Sequence, residues 1–410
     1  MHDARIRPFT LILLIVLSVA ALPTVRAEEP PSLGEAVTGG KISLNLRYRY
    51  EDVDQTGFDE PGRASTLRTA LGYRTLWWQR LSAMIEFENV VNVGLSSDHD
   101  NLGFGSLWNG VTERPIIPDP PITEVNQAYL EWKPIDSLPL RGGRQEIVID
   151  NSRFVGNVGW RQNHQTFDGA TAHFTGVKNL DLGYAYIARQ RTVTGESRPM
   201  STSHLEGAYT FSKAGTLRGY LLSIDYDQEV LWALSTMTYG ASFAGTTHLS
   251  ETLGLTYRLE LATQQDTANN PESVDADYLR ADIGLAFGKV TAGAGYEVLG
   301  GSPGDGSFNT PLATLHKFNG WADKFPTTPA DGLRDFFVSV GADLGRFALL
   351  GVYHDFSADS GGASWGSELD ASVVYTAPWK QKFAIEAAVY DADDWLSDTE
   401  KIFLWTQWGF

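Results

Sequence analysis

Short segments in which apolar and polar residues alternate recur along almost the whole chain. A period of two residues is typical of β-strands whose two faces meet different environments. The pattern returns in segments 66–74, 253–261, 279–287, 368–375 and 382–390, and it predicts an all-β protein. The clearest segment is 41–50, in which one face carries Ile42, Leu44, Leu46, Tyr48 and Tyr50 and the other carries Lys41, Ser43, Asn45, Arg47 and Arg49.

Two further features favour a closed membrane barrel over a soluble β-sandwich. Nearly every polar face carries charged residues, as expected when the apolar face meets lipid and the polar face lines water. Connections also alternate between short turns and long loops, as in outer-membrane barrels. The short connections include 176–179, 212–215, 288–289 and 345–346, and the long ones include 51–64, 93–122, 150–166, 265–276, 300–332 and 391–399.

The predicted fold is therefore a transmembrane antiparallel β-barrel of about eighteen strands. Sixteen is the alternative count, because bacterial barrels have an even number of strands and the segments near residues 140 and 216 are weak. The strands are expected to begin near residues 40, 65, 81, 124, 140, 167, 180, 203, 216, 234, 252, 277, 289, 333, 347, 365, 382 and 401.

The N-terminus has the pattern of a secretory signal. Arg5 and Arg7 form a positive region, Phe9–Leu22 is apolar, and Val25-Arg26-Ala27 matches the small-x-small cleavage pattern. We expect cleavage after Ala27 following Sec export, so that residues 28–410 form one barrel in the outer membrane of a Gram-negative cell. The sequence has no cysteine, which excludes a lipoprotein anchor and a disulfide.

The chain ends in an aromatic-rich segment, residues 402–410. A last strand that ends in an aromatic residue resembles the assembly signal of outer-membrane barrels. Trp408 and Phe410 are therefore expected in the periplasmic aromatic girdle, where the barrel assembly machinery would recognise the strand. Phe403 and Trp405 have the opposite parity, so this pattern makes both faces of the strand bulky.

The connection 150–166 and its flanks are dense in arginine, amide and carboxylate groups, which hydrogen-bond hydroxyls and carboxylates well. This density predicts a loop at the barrel mouth or folded into the lumen. The alternative is a loop that only satisfies its own backbone. The candidate residues are Arg144, Asp150, Asn151, Arg153, Trp160, Arg161, Gln162, Gln165 and Asp168.

Segment 308–325, within the connection 300–332, is too apolar for a freely solvated loop. We expect it to pack into the barrel as a constriction or lid, and a loop that merely plugs the mouth is an equal alternative. The candidate residues are His316, Lys317, Trp321, Asp323 and Lys324.

Arginines recur on the polar faces of the strands. A guanidinium group stays charged and presents a planar fork to carboxylates, so these residues are candidates for the path of an anionic solute. The structural alternative is that Arg–Glu ladders between neighbouring strands hold the wall. The candidates are Arg47, Arg49, Arg68, Arg74, Arg189, Arg191, Arg258 and Arg280.

With this strand layout, the segments 144–168 and 308–325 resemble the alginate-export family of outer-membrane proteins. The resemblance covers most of the chain after residue 27. It implies a monomeric eighteen-stranded barrel with an arginine-rich lumen that passes an anionic polysaccharide. The sequence departs from that pattern through acids on the predicted lumen faces: Glu86, Glu88, Glu131, Glu260, Asp282, Glu297 and Glu386.

The expected function is a porin-like channel for passive passage of a polar, anionic solute, set in outer-membrane lipid and lipopolysaccharide. The first alternative is a general or substrate-specific uptake porin for small nutrients or ions. An outer-membrane enzyme is less consistent with the sequence, because both Gly-x-Ser-x-Gly matches (300–304 and 362–366) lie in connections. A surface adhesin would require larger outer loops than the sequence predicts. No cofactor or metal motif is present, and the net charge of −18 argues against nucleic acid.

Overall fold

Eighteen antiparallel strands close into one barrel in the computed structural model, which describes residues 32–94, 97–212 and 214–410. The expected signal, residues 1–27, lies outside the described residues. The first and last strands close the sheet, because Asn45 pairs with Gly409 and Gln55 with Thr399. The strands are β1 (Lys41–Gln55), β2 (Gly62–Arg74), β3 (Leu81–Asn92), β4 (Thr123–Trp132), β5 (Leu140–Gln145), β6 (Thr166–Val177), β7 (Leu180–Arg191), β8 (Ser197–Thr210), β9 (Thr216–Ser223), β10 (Thr236–His248), β11 (Leu253–Asp266), β12 (Asp275–Phe287), β13 (Val290–Leu299), β14 (Leu333–Asp343), β15 (Phe347–Ser357), β16 (Ser364–Thr376), β17 (Lys382–Ala392) and β18 (Thr399–Gly409).

The alternation in the sequence corresponds to the two faces of the barrel wall. On β1, Ile42 faces outward and is 71% exposed, whereas the inward-facing Arg49 is 1% exposed. Outward apolar side chains form a lipid-facing belt, and the closed sheet leaves no unpaired strand edge in the membrane. The predicted all-β barrel of eighteen strands is confirmed, and the alternative of sixteen is wrong because the weak segments near 140 and 216 are the short strands β5 and β9.

Connections are short at the end of the barrel where β1 begins and β18 ends, and they are long at the opposite end. The short turns include left-handed residues such as Asn179, Gly288 and Gly345, with φ of 64°, 58° and 83°. Three predicted long connections are shorter than expected: 51–64, 265–276 and 391–399 contract to 56–61, 267–274 and 393–398. The strands extend further because their backbones keep pairing, as Val53 does with Gly62.

The sequence does not predict the short helix α1 (Leu33–Thr38), which precedes β1 at the periplasmic end. A capping box begins it: Ser32 Oγ accepts a hydrogen bond from Glu35 N at 3.1 Å, and the Glu35 carboxylate accepts one from Ser32 N at 3.2 Å. Short 3₁₀ helices occupy Gly105–Leu107, Glu229–Leu234 and Leu315–Lys317. Within the described residues, no helix has the length and apolar content that a membrane span requires.

The main groups of buried apolar side chains lie inside the barrel, between long loops and the wall. Phe308 and Phe325 of connection 300–332 join one group, and Val155 of connection 146–165 joins another with Leu312. Burying a side chain such as Phe308 fully is worth about 1.5–3 kcal/mol. These loops are therefore packed into the lumen as part of the fold rather than held above it.

Candidate functional site

Two long loops fold into the lumen and pair with each other there. We call residues 146–165 the mouth loop and residues 300–332 the lid loop. Gly156 N donates to Leu312 O at 2.9 Å, and Thr314 N donates to Ser152 O at 3.0 Å. The side-chain amide of Gln165 also donates to Leu312 O at 2.9 Å. Because backbone bonds join them, the two loops form one inner layer.

Arg47 of β1 lies beneath the mouth loop and is bonded to it. Its guanidinium donates to three backbone oxygens, those of Gly159 at 2.9 Å and of Trp160 and Arg161 at 2.5 Å each. It also donates to Gln162 Oε1 at 2.9 Å. All of these acceptors belong to the mouth loop, so Arg47 anchors that loop to the wall.

Arg49 and Arg68, like Arg47, are buried on the inner face of the wall. Arg49 donates to Trp160 O at 2.7 Å and forms an ion pair with Asp119 of the connection 93–122. Arg68 binds Glu88 at 2.5 Å. All three of these arginines, expected on the solute path, are buried beneath loops in the structure.

A buried network of charges connects four segments around Arg161. Its guanidinium lies 3.1 Å from Glu51 Oε2 and 2.7 Å from Asp323 Oδ2 of the lid loop. Burial disfavours the charged guanidinium, but the carboxylates of Glu51 and Asp323 outweigh this and raise the pKa of Arg161. Burial likewise opposes ionisation of Asp119, yet Arg49 and Arg161 hold the pKa of Asp119 below its usual value. The loops are thus held by ionised groups.

Arg153 of the mouth loop is buried where the mouth loop, the lid loop and the wall meet. It donates to Glu297 Oε1 of β13 at 2.8 Å. It also donates to two lid residues, Thr310 Oγ1 at 3.3 Å and Asn319 Oδ1 at 3.2 Å. One guanidinium therefore links all three parts.

Aromatic rings fill the contact between the loops and β18. The Trp160 ring stacks on the His316 imidazole with centroids 4.2 Å apart and planes 7° from parallel. Phe403 meets Trp160 edge-on at 5.2 Å. This contact explains the unexpected parity of Phe403, which faces inward because the loops supply an apolar surface there. Trp405 also faces inward and donates from Nε1 to Glu386 at 2.8 Å.

Carboxylates of the wall hold the lid loop. Asn319 Nδ2 donates to Asp335 Oδ2 of β14 at 3.0 Å, and Ala322 N donates to Glu368 Oε1 of β16 at 2.6 Å. Within the lid, Asp323 Oδ1 contacts His316 Nδ1 at 2.8 Å. Burial lowers the pKa of His316, and the pKa of Asp323 lies well below its usual value because His316, Lys401 and Arg161 outweigh burial.

The remaining arginine candidates form ion pairs with acids of the wall or the mouth loop, with one exception. Arg144 forms a bidentate ion pair with Asp168, with N–O distances of 2.6 and 3.2 Å. Arg191 forms no ion pair with any of the described residues. The other pairs are Arg74 with Glu131, Arg189 with Asp168, Arg258 with Asp150 and Glu260, and Arg280 with Asp282 and Glu297.

A cavity of about 650 Å³ opens beside the lid loop. Lys317 of the lid reaches it and donates to Asn151 O at 2.9 Å. Arg280 of β12 also lines it, with its Cζ atom 5.3 Å from the Phe318 ring and 5.5 Å from the Phe337 ring. Trp160 and Trp321 complete its aromatic lining. The cavity therefore combines cations with aromatic surface.

A second cavity of about 360 Å³ is lined by Asp150, Arg218 and Arg258. Sequence analysis missed Arg218, because it lies on the short strand β9, whose alternation is weak. It also missed Asp119 and Lys401, which approach the loops from distant parts of the chain. A lumen-facing parity is the one signal for Lys401, and no local signal marks Asp119.

The C-terminal aromatics lie on the outer surface of the wall. The Trp408 and Phe410 rings pack against each other with centroids 4.4 Å apart. Both side chains are exposed on the outward face, as the girdle expectation requires. Recognition by the assembly machinery stays a prediction.

The closed sheet, the outward apolar belt and the polar, loop-filled interior define a transmembrane β-barrel of the outer-membrane type. The family model for "Alginate export" matches residues 41–298. The chain belongs to this family, and it is an outer-membrane β-barrel channel.

Solved structures show the same fold at low sequence identity. OccAB2 of Acinetobacter baumannii is 16% identical, with a TM-score of 0.72 over 92% of this chain and 100% of that chain. OccK9 (OpdG) of Pseudomonas aeruginosa is 14% identical, with a TM-score of 0.71 over 92% and 99%. OpdK of Pseudomonas aeruginosa, solved with vanillate, is 14% identical, with a TM-score of 0.69 over 91% and 99%. No curated protein matches the chain in sequence.

Proposed function

We propose that the barrel lets a polar, anionic solute pass by diffusion, and that the solute crosses the 650 Å³ cavity beside the lid loop. The observation that supports this proposal is that the cations that line the cavity are more exposed than the acids that line it. Lys317 is exposed and Arg280 is partly exposed, whereas the carboxylates of Glu297, Asp335 and Glu386 are buried.

The buried carboxylates are already engaged with protein groups. Glu297 accepts from Arg153 and from the Tyr278 hydroxyl at 2.6 Å. Asp335 contacts His354 Nδ1 at 2.8 Å. Arg280 is also paired, with Asp282 and Glu297. A solute in the cavity therefore meets mainly the field of the exposed Lys317, which lowers the barrier for an anion.

Two similarities support a carboxylate as the anionic group. Alginate, named in the family description, is a polymer of uronic acids, and vanillate, bound in the OpdK crystal structure, is an aromatic carboxylate. A guanidinium and an ammonium group recognise both in the same way. The shared chemistry is a carboxylate attached to a ring, which could belong to a polymer or to a small molecule.

The second candidate function is a porin for small nutrients. The ion pairs between arginines and carboxylates on the barrel wall favour this function. Arg74, Arg144 and Arg258 are each neutralised by a neighbouring carboxylate. A lumen with one local cationic region and two inserted loops suits a small solute better than a long polyanion. Selectivity for size, rather than for charge, is the signature of this function.

The reversal potential of the refolded protein in a planar bilayer under a salt gradient tests the proposal. We expect anion selectivity that weakens in Lys317→Gln. Lys289→Gln is the matched control, because Lys289 is exposed in a periplasmic turn. Cation selectivity, or an equal effect of both substitutions, would contradict the proposal.

Added solutes then separate the two carboxylate sources. Block of the current by mannuronate oligomers would indicate a polyuronate channel, and block by vanillate alone would indicate a channel for small carboxylates. Equal passage of small neutral and charged solutes would support the general porin. We also propose that the channel works as a monomer in lipopolysaccharide-containing membrane.

A further inference from the structure

Two carboxyl groups on β16 lie side by side beneath the lid loop. Glu368 and Asp370 both face inward and are 1% and 0% exposed. They occupy alternate positions on one strand, so their side chains lie next to each other on the same face of the wall. Among the described residues, no side chain donates a hydrogen bond to Glu368 Oε2 or to either Asp370 oxygen, and the Trp321 backbone N–H is the one donor that faces Asp370. Two carboxyl groups buried side by side do not both stay ionised, because burial disfavours the charged form and two like charges repel each other.

The lid backbone is fitted closely around one of these groups. Ala322 N donates to Glu368 Oε1 at 2.6 Å. Gly320 has a φ of 83°, and a Cβ atom there would lie 2.3 Å from Glu368 Oε2. Glycine is needed at this position both for its left-handed backbone and for the close approach. The position of the lid at 320–322 therefore depends on where the Glu368 carboxyl group lies.

Two of the neighbouring cationic groups, His354 and Lys401, are already paired with other acids. His354 Nε2 of β15 is 3.7 Å from Asp370 Oδ2, but its Nδ1 contacts Asp335 of β14 at 2.8 Å. Lys401 of β18 binds Asp323 of the lid at 2.9 Å. Among the described residues, no lysine or arginine forms an ion pair with either carboxyl group. The titratable groups that face it are His354 of β15 with Asp335 of β14, Tyr390 of β17, Lys401 of β18, and Asp323 and Lys324 of the lid.

We propose that Glu368 and Asp370 form a proton-binding site that docks the lid loop. One proton shared between the two carboxyl groups holds them together and fixes the lid backbone on Glu368. When the pH rises, this proton passes to water, and two negative charges then repel each other in a buried site. The lid is released as water enters to solvate them. The effect on transport rests on the proposed function, whereas proton binding does not.

Infrared spectroscopy of the full chain in detergent tests proton binding directly. At near-neutral pH we expect the carbonyl stretching band of a protonated carboxyl group, and we expect it to disappear as the pH is raised. Asp370→Asn and Glu368→Gln should each remove it, because an amide can donate to the remaining carboxylate without a shared proton. Asp282→Asn, which changes an inward carboxylate paired with Arg280, should keep the band. A wild-type protein without the band, or a band unchanged in both variants, would overturn the proposal.

Single-channel recordings between about pH 6 and about pH 10 test the coupling to the lid. Conductance should rise with pH in the wild type and stay constant in Asp370→Asn and Glu368→Gln. Burial and the nearby Lys401 lower the pKa of Lys324 to about 8, so Lys324→Gln is the necessary control. A response lost in Lys324→Gln but kept in both carboxyl variants would overturn the proposal. A titrating infrared band in a barrel without any conductance would instead refute the proposed function alone.

Discussion

Arg153 and Glu297 are separated by 144 residues in the sequence, yet their side chains form a salt bridge of 2.8 Å in which both are 1% exposed. The pair joins the mouth loop to the barrel wall, and Asn319 brings the lid loop to the same point. The ion pair between Arg153 and Glu297 therefore holds the loops within the lumen. Lys317, the exposed cation at the cavity, forms neither of these bonds.

Breaking this pair should destabilise the protein strongly. Glu297→Gln leaves the Arg153 guanidinium buried without its counter-charge, which costs about 3–5 kcal/mol. Urea unfolding in detergent, followed by tryptophan fluorescence, measures the loss. Arg334→Gln is the control, because the Arg334–Asp359 pair is well exposed and such pairs contribute only about 0–1 kcal/mol. Similar losses in both variants would show that the buried pair has no special role.

Replacing Arg47 and Arg49 together with serine should loosen the mouth loop. The loop then loses the donors to Gly159, Trp160 and Arg161, and each buried oxygen left unpaired costs about 1–3 kcal/mol. We expect larger and noisier single-channel currents with little change in ion selectivity. The control is Arg74→Ser with Arg141→Ser, since both residues bind Glu131 on the wall instead. A change in selectivity at constant conductance would indicate that Arg47 and Arg49 lie on the solute path.

Exchanging segment 308–325 for a glycine–serine linker of equal length should widen the pore. The linker cannot replace the buried Phe308, Leu312 and Phe325 side chains, so the lid would leave the lumen. Conductance should rise and selectivity should fall. The same exchange in the exposed segment 268–272 should change neither. If conductance were unchanged by the first exchange, the lid would not lie on the path.

Acid should release the lid loop through Asp323. Its folded pKa lies well below the usual value, since His316, Lys401 and Arg161 outweigh burial. Ionised Asp323 therefore stabilises the docked lid fully above its unfolded pKa of about 4, and this stability is lost as the pH falls through the folded pKa. Conductance should stay constant from neutral pH to about 4 and increase below it.

Two substitutions test this acid response. Asp323→Asn should show the higher conductance already at neutral pH, because it cannot form the ion pairs. Asp394→Asn, in an exposed loop, should behave as the wild type. An acid response that persists unchanged in Asp323→Asn would assign it to other carboxylates.

The strand order and the count of eighteen could be predicted because a strand records its two environments in a local period of two residues. The extent of each strand could not, since pairing beyond the membrane depends on the partner, as with Val53 and Gly62. Phe403 likewise departs from the alternation of apolar and polar residues, because a distant residue determines its surroundings. Its environment is set by Trp160, which lies 243 positions earlier in the chain.

The candidate loops were recognisable from composition, but the role of individual residues was not. A guanidinium on a lumen face can meet a solute or a loop carbonyl, and the sequence of β1 is the same in both cases. Arg47 and Arg49 were expected on the solute path, whereas the structure surrounds them with the mouth loop. The Glu368–Asp370 pair gave no signal, because alternating acids are also common on solvated strands.

The C-terminal aromatic should matter for insertion into the membrane rather than for the folded barrel. Phe410→Ala removes the last aromatic of the girdle, and we expect less protein in the outer-membrane fraction of cells. Phe287→Ala is a closely matched control, because Phe287 is 66% exposed at the periplasmic end of β12 and Phe410 is 64% exposed. Both lose the same contact with lipid, so a common defect would indicate lost apolar area alone. A defect specific to Phe410, with normal refolding of the purified chain, would support recognition of the last strand during assembly.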